Sequence, residues 1–266
     1  MKRLALILLL LLPAAAQQPA SPGSQSVPAV QANEQKARAV LERMVQALGG
    51  QAWLSISDYE EDGRSYAFYN GNPEGAGTIY FRFWKWPDKE RVELTKQRDI
   101  IEIFNGEQGW ETTYKGTHNQ DPKELVKYQL RRHYSLIQVV RGWLQQPGVA
   151  LFYDGTALAN GRPVERVTLL NSQNENVSLY VSSDSHLPLK LSYQVRDPDY
   201  RELDTESVVF DNYRPEQGIQ TAHSVTFYHN DDISGQRFIN SVRYNTGLAD
   251  SLFTATVTTP PLPKKK

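Results

Sequence analysis

The chain has 266 residues, with 29 Lys and Arg against 30 Asp and Glu, and no cysteine. A balanced charge without a basic stripe leaves no footprint for nucleic acid. The missing cysteines exclude disulfides, thiolate metal sites, a cysteine nucleophile and lipid attachment at an N-terminal cysteine.

"MKRLALILLLLLPAAAQQ" opens with Lys2 and Arg3, runs apolar from Leu4 to Leu12 and reaches Ala14-Ala15-Ala16. This pattern predicts a secretory signal peptide over residues 1–16. Its apolar run is too short to span a bilayer, so a soluble, periplasmic protein is expected. Residues 17–32, rich in Pro, Ser, Gln and Ala, read as a disordered leader. A single domain is expected over 33–256, followed by a Pro/Lys-rich disordered tail over 257–266.

The domain begins with a helix, "NEQKARAVLERMVQALGG", with Asn33 as its N-cap and Gly49-Gly50 as its stop. Ala37, Val40, Leu41, Met44, Val45 and Leu48 form one apolar stripe, which must lie on something apolar. From Asp58 to Tyr114 the period changes to short β-rich runs separated by turns, including "IYFRFWKW", "RVELTKQ" and "DIIEIF". Connections this short predict antiparallel neighbours.

A second helical segment follows, "DPKELVKYQLRRHYSLIQVVRGWLQQPG", with Asp121 as N-cap, Pro122 in the first turn and Pro147-Gly148 as the stop. Either one helix or two with a break near His133 fits. Seven more β-rich runs, from "VALFYDG" to "QRFINSVRY", complete the chain, with a turn at Asp197-Pro198 among those between them. The expected fold is mainly β (α+β): one long antiparallel sheet curled around the inserted helices, with an N-terminal helix and the inserted segment as a lid.

No chemistry-bearing motif emerges, so no catalytic residue, metal ligand or cofactor is expected. The five histidines lack metal-site spacing, and neither a nucleophile elbow nor a phosphate loop is present. What stands out is "YFRFWKWP". Strand parity puts Tyr80, Arg82, Trp84 and Trp86 on one face, and Phe81, Phe83 and Lys85 on the other. Two largely apolar faces mean either that both are covered or that one lines a cavity for an apolar ligand. Arg82 shares the tryptophan face and needs a polar partner there.

The order "ALGGQAWLSI", "WPDKERVEL", "NGEQGW" and the closing "FDNYRPEQGIQTAHSVTFYHN…GQRFINSVRYNTGLADSLF" resembles the LolA/LolB-like lipoprotein carrier superfamily and its outer-membrane lipoprotein-sorting relatives. The resemblance spans about Ala37 to Phe253. It implies a single long antiparallel sheet curled into an unclosed barrel, with a helical lid over an apolar cavity that carries acylated cargo through the periplasm without bond-making chemistry. On this reading the cavity includes Trp84, Trp86, Val92, Trp110, Leu136, Ile137, Val140 and Trp143. The implied partners are an acylated lipoprotein or lipid, with envelope membrane proteins for loading and release, and the protein itself is a monomer. The Arg that latches the lid in the soluble carrier is replaced here by Trp86, and the carrier's nearby tryptophan falls at Val92. Two alternatives remain: an envelope sensory or protein-binding module with a filled interior, and a secreted hydrolase built around His223 and His229.

Overall fold

The computed structural model describes residues 27–196 and 202–258. The expected signal peptide, most of the leader, the turn at Asp197-Pro198 and the tail from residue 259 lie outside the described residues. Helix α1 (Val27–Leu48) and the single turn α2 (Gln51–Leu54) precede seven strands. These are β1 (Asp58–Tyr69), β2 (Asn72–Pro73), β3 (Thr78–Lys85), β4 (Lys89–Leu94), β5 (Ile100–Asn105), β6 (Gln108–Thr113) and β7 (Gly116–Asn119). Next come α3 (Pro122–His133), α4 (Leu136–Arg141) and a 3₁₀ turn at Trp143–Gln145. The second half holds β8 (Ala150–Ala159), β9 (Arg162–Leu170), β10 (Asn176–Ser182), β11 (Pro188–Arg196), β12 (Leu203–Glu216), β13 (Ile219–His229) and β14 (Asp232–Tyr244). A 3₁₀ turn at Asp250–Phe253 follows.

All fourteen strands form one antiparallel sheet that does not close into a barrel. Its order is β7-β6-β5-β4-β3-β1-β14-β13-β12-β11-β10-β9-β8, with β2 added to β1. First and last strands meet in the middle, while β7 and β8, consecutive in the chain, form the two edges. The segment between them therefore crosses one face of the sheet as a strap, α3–α4 and the 3₁₀ turn.

That face is concave, because side chains from both halves of the sheet meet in one core. Trp84 on β3 belongs to the same cluster as Val167, Leu169, Val177, Leu179 and Leu191 on β9–β11. Helix α1 fills the β8–β9–β13 side with Ala37, Val40, Leu41, Met44 and Leu48, the stripe read from its period. The strap contributes Tyr134, Val139, Val140 and Trp143 to the same core.

The helix starts six residues before the expected cap. Asn33 sits inside it, and its side-chain amide serves the edge strand instead. Nδ2 donates to the Tyr153 carbonyl at 2.8 Å, and Tyr153 N–H donates to Oδ1 at 2.9 Å. This completes a hydrogen-bond pair that an edge strand otherwise leaves open. At the other edge, Thr258 N–H donates to the Thr117 carbonyl at 2.9 Å and accepts Thr117 N–H on Oγ1 at 2.8 Å.

The convex face of β3–β6 is covered by the chain after β14. Phe253 is fully buried against Ile103, with Leu248, Leu252, Phe83, Ile101 and Trp110 around it. Asp58 fixes the start of this segment by accepting from Thr246 N–H at 2.7 Å and Gly247 N–H at 3.2 Å. Lys85 Nζ holds its middle, donating to the Leu248 carbonyl and to Asp250, both at 2.7 Å. Both faces of the aromatic strand are thus covered, one by helices and one by this segment.

Gly63 marks a bulge where β1 changes register against β14. A Cβ there lies 2.2 Å from the Phe238 carbonyl oxygen and 3.1 Å from Ile239 Cα. Because the obstacle is backbone, it cannot rotate away. Gly63→Ala is expected to lower unfolding free energy by about 1–3 kcal/mol, read by urea denaturation. An unchanged midpoint contradicts this close approach.

Candidate functional site

The strap is positioned by local sequence at both ends. Asp121 caps α3 by accepting from Lys123 N–H at 2.8 Å, and Pro122 occupies the first turn, as expected. The break between α3 and α4 falls at Tyr134-Ser135. Gly109 lets α3 approach, since a Cβ there meets Gln120 Cβ at 3.0 Å and Leu125 Cδ1 at 3.1 Å.

Two stacked pairs then tie the strap to the two halves of the sheet. Tyr128 lies on Phe104 of β5 with ring centroids 3.7 Å apart, and Tyr134 lies on Tyr193 of β11 at 4.0 Å. Polar bonds hold the strap's rim. Arg141 Nη1 donates to the Ile56 carbonyl at 2.6 Å, and its guanidinium sits 3.9 Å above the Trp86 ring. Gln138 Nε2 donates to the Pro87 carbonyl at 2.5 Å, and Arg132 Nη1 reaches the Gly106 carbonyl at 3.2 Å. On the far side His133 Nε2 lies 2.9 Å from Glu175. Burial works against ionisation of Glu175, but hydrogen bonds from Asn171 and His133 keep its carboxyl below the ordinary range.

Seven of the eight residues expected to line a cavity are on the concave side, though not in one wall. Trp84, Val140 and Trp143 are close-packed in the core, and Trp84 stacks on Tyr59 at 5.1 Å. Trp86, Leu136 and Ile137 are partly buried at its border. Val92 lies between Arg82 and Glu102 in register, in a charged row. Trp110 parts from the set. It pairs with Ile103, which pairs with Arg91 and then Phe83, so it belongs to the convex face under Phe253.

The charged row, which parity alone did not reveal, runs through Glu61, Arg82, Val92, Glu102 and Glu111 on neighbouring strands. Arg82 finds its partner diagonally. Its Nε and Nη2 donate to the two carboxylate oxygens of Glu90 at 2.9 and 3.0 Å, and Glu61 lies 3.5 Å from Nη1. The side chains of Arg82 and Glu90 are only 16% and 14% exposed. Burial opposes the charge on Glu90, yet the Arg82 guanidinium holds its carboxyl below the usual range. Glu102 has no such partner among the described residues, and burial, with Glu111 beside it, pushes its carboxyl up.

His223 and His229 do not converge on one cleft. His223 is buried with Nδ1 2.9 Å from the Ile239 carbonyl, while His229 is exposed beside Glu206 at 2.7 Å. Two clefts lie away from the core. One of about 310 Å³ is lined by Glu107, Gln108, Trp110, Asn119 and Gln120, and one of about 230 Å³ by Phe81, Phe83, Arg98 and Arg243.

Removing one member of a buried, hydrogen-bonded ion pair leaves the other charge uncompensated. Glu90→Leu or Arg82→Met alone is expected to cost about 3–5 kcal/mol, and the double substitution markedly less. Equilibrium unfolding of the three variants tests this, and additive costs contradict the coupling. Glu90 is depressed in the folded state, so its contribution is complete above its unfolded pKa and is lost as pH falls through the folded value. Wild type should therefore lose this stability below about pH 4, and Glu90→Leu should not.

No family model matches the sequence, and no curated protein matches it. Solved structures do. A DUF1329 family protein from Desulfovibrio piger superposes with a TM-score of 0.57 at 12% identity, covering 82% of this chain and 97% of that one. An outer membrane lipoprotein-sorting protein domain from Vibrio parahaemolyticus gives 0.53 at 13%, covering 83% and 97%. A LolA superfamily protein from Nitrosomonas europaea gives 0.51 at 13%, covering 82% and 97%. At these identities the likeness is one of architecture: the chain has a LolA-like fold.

Proposed function

We propose that the protein is a periplasmic carrier or binding protein that holds acylated cargo, lipoprotein or lipid, on the concave face of its sheet. The observation that carries this is the way the strap is held: an apolar underside in the core, and a rim tied to backbone carbonyls. The site comprises Trp84, Trp86, Leu136, Ile137, Val140 and Trp143, with the strap as lid. No step of bond-making chemistry is required. Among the described residues no helix is long and apolar enough to cross a membrane.

Magnitudes favour an exchange of strap for ligand. Tyr128, Tyr134, Val139, Val140 and Trp143 are the strap's buried side chains. At about 1.5–3 kcal/mol each, uncovering them costs roughly 8–15 kcal/mol. A sixteen-carbon acyl chain, at about 0.8 kcal/mol per buried CH₂, returns roughly 11 kcal/mol. The two terms nearly cancel, so small differences at the rim decide whether the lid opens. Arg141 over Trp86 adds about 1 kcal/mol as a half-buried cation–π contact.

A second reading, a sensory or protein-binding module, is favoured by the closely packed interior and by Phe152 and Leu158 exposed on edge strand β8. Lipid extraction and binding separate the two. Protein purified from its native envelope, extracted with solvent and analysed by mass spectrometry, is expected to yield acyl lipid. The delipidated protein should show altered tryptophan emission with acylated probes, and Arg141→Ala should bind them faster. Repeated absence of lipid together with unchanged emission overturns the carrier reading in favour of the second.

A further inference from the structure

Beside the core, the concave face carries a second apolar cluster of Val225, Ile239 and Val242, bordered by Tyr59, Phe210 and Phe227. The charged group adjoins it. The Arg82 guanidinium lies 5.4 Å from the Tyr59 ring centroid, and that of Arg237 lies 5.2 Å from Phe227. Apolar rings and paired charges thus share one boundary, the arrangement an amphiphile meets with its head and its chain.

The hydrogen-bond inventory at this boundary is unbalanced. Tyr80 donates to Glu61 at 3.2 Å, and Arg82 occupies both oxygens of Glu90. Two buried donors around the pair, Tyr128 Oη and Arg237 Nε, have no partner among the described residues. Tyr128 is 4% exposed and stacked on Phe104, the residue paired with Glu90 on the next strand. Burial pushes its phenol up, and the charges that act on its hydroxyl are those of Glu90, Arg132 and Arg82. Arg237 approaches Glu61 at 3.5 Å through Nη1 alone. From α3, the exposed Arg131 bears on Glu90, Glu102 and Tyr193. Three guanidinium groups, Arg82, Arg131 and Arg237, thus act on the carboxylates Glu61, Glu90 and Glu102. Unpaired buried polar groups are costly in a native structure. A guanidinium can be satisfied only by an acceptor, and a phenol O–H beside it can donate to the same one.

We infer that the Arg82–Glu90–Arg237 group, with Tyr128 and Arg131 on the strap, is a headgroup subsite for an acyl amphiphile bearing an anionic oxygen group, carboxylate or phosphate. The inference rests on the carrier reading and deepens it. The chain occupies the concave face, and displacement of α3 brings Tyr128 Oη and the Arg131 guanidinium to the head. The subsite prefers an anion over a neutral or cationic head on the same chain.

Calorimetric titration of the delipidated full chain with four sixteen-carbon probes, each below its micelle concentration, tests this. The probes are palmitate, hexadecyl phosphate, hexadecanol and hexadecyltrimethylammonium. Palmitate and hexadecyl phosphate are expected to bind at least about tenfold more tightly than the other two, the scale of one hydrogen bond to a charged group. The tighter of the two anions names the source, a fatty acid or a phospholipid. Tyr128→Phe keeps the ring on Phe104 and removes only the donor. It and Arg131→Gln should each erase most of the preference for the two anions over hexadecanol. Equal binding of all four probes, preference for the cation, or an anion preference that survives both substitutions overturns the headgroup subsite and leaves the carrier reading standing. Binding of none overturns the carrier reading and the subsite with it.

Discussion

Everything in this molecule follows from one topological constraint: β7 and β8 are consecutive in the chain but form opposite edges of the sheet. Residues 120–149 have to travel from one edge to the other, and a buried route over the concave face is the one they take. The two edges do not pair with each other, and the sheet stays open. The crossing segment brings its own apolar side, Tyr134, Val139, Val140 and Trp143, into the space between the sheet halves. The interior is filled without being sealed by covalent or β-ladder bonds.

The concave face divides into two chemical zones. Around α1 and α4 it is a conventional core of close-packed apolar side chains. Toward β1, β3, β4 and β14 it carries Glu61, Arg82, Glu90 and Arg237. Charges are tolerated at this depth only when they compensate one another, because desolvating either alone costs several kcal/mol. The diagonal Arg82–Glu90 fork provides that compensation.

Much of this was legible in the sequence. The strap's Asp121-Pro122 start, the apolar stripe of α1 and the split of "YFRFWKW" into two faces all depend on local chemistry or on parity within one element. The antiparallel order of the sheet was read from connection lengths, and its openness from the family resemblance. What failed depended on register between elements. Trp110 was assigned to the face of Trp84, but three successive pairings through Ile103, Arg91 and Phe83 put it on the other. A one-residue slip at any of these hairpins reverses every side chain beyond it. The partner of Arg82 was equally hidden, since Glu90 becomes its neighbour only once the β3–β4 hairpin is folded. Asn33 has the chemistry of a cap but spends its amide on Tyr153, a contact 120 residues away. The relation between Arg141 and Trp86 could not be read from spacing either, as it forms across the strap.

The central claim is that the strap must leave the concave face for an acyl chain to enter. Because the chain has no cysteine, a pair can be introduced cleanly: Gln138→Cys on α4 and Asp88→Cys beside the turn it touches, joined by a short bis-maleimide. Palmitate binding is then measured before and after cross-linking. The account predicts that the uncoupled double variant binds and the cross-linked form does not. Equal binding by both forms contradicts it.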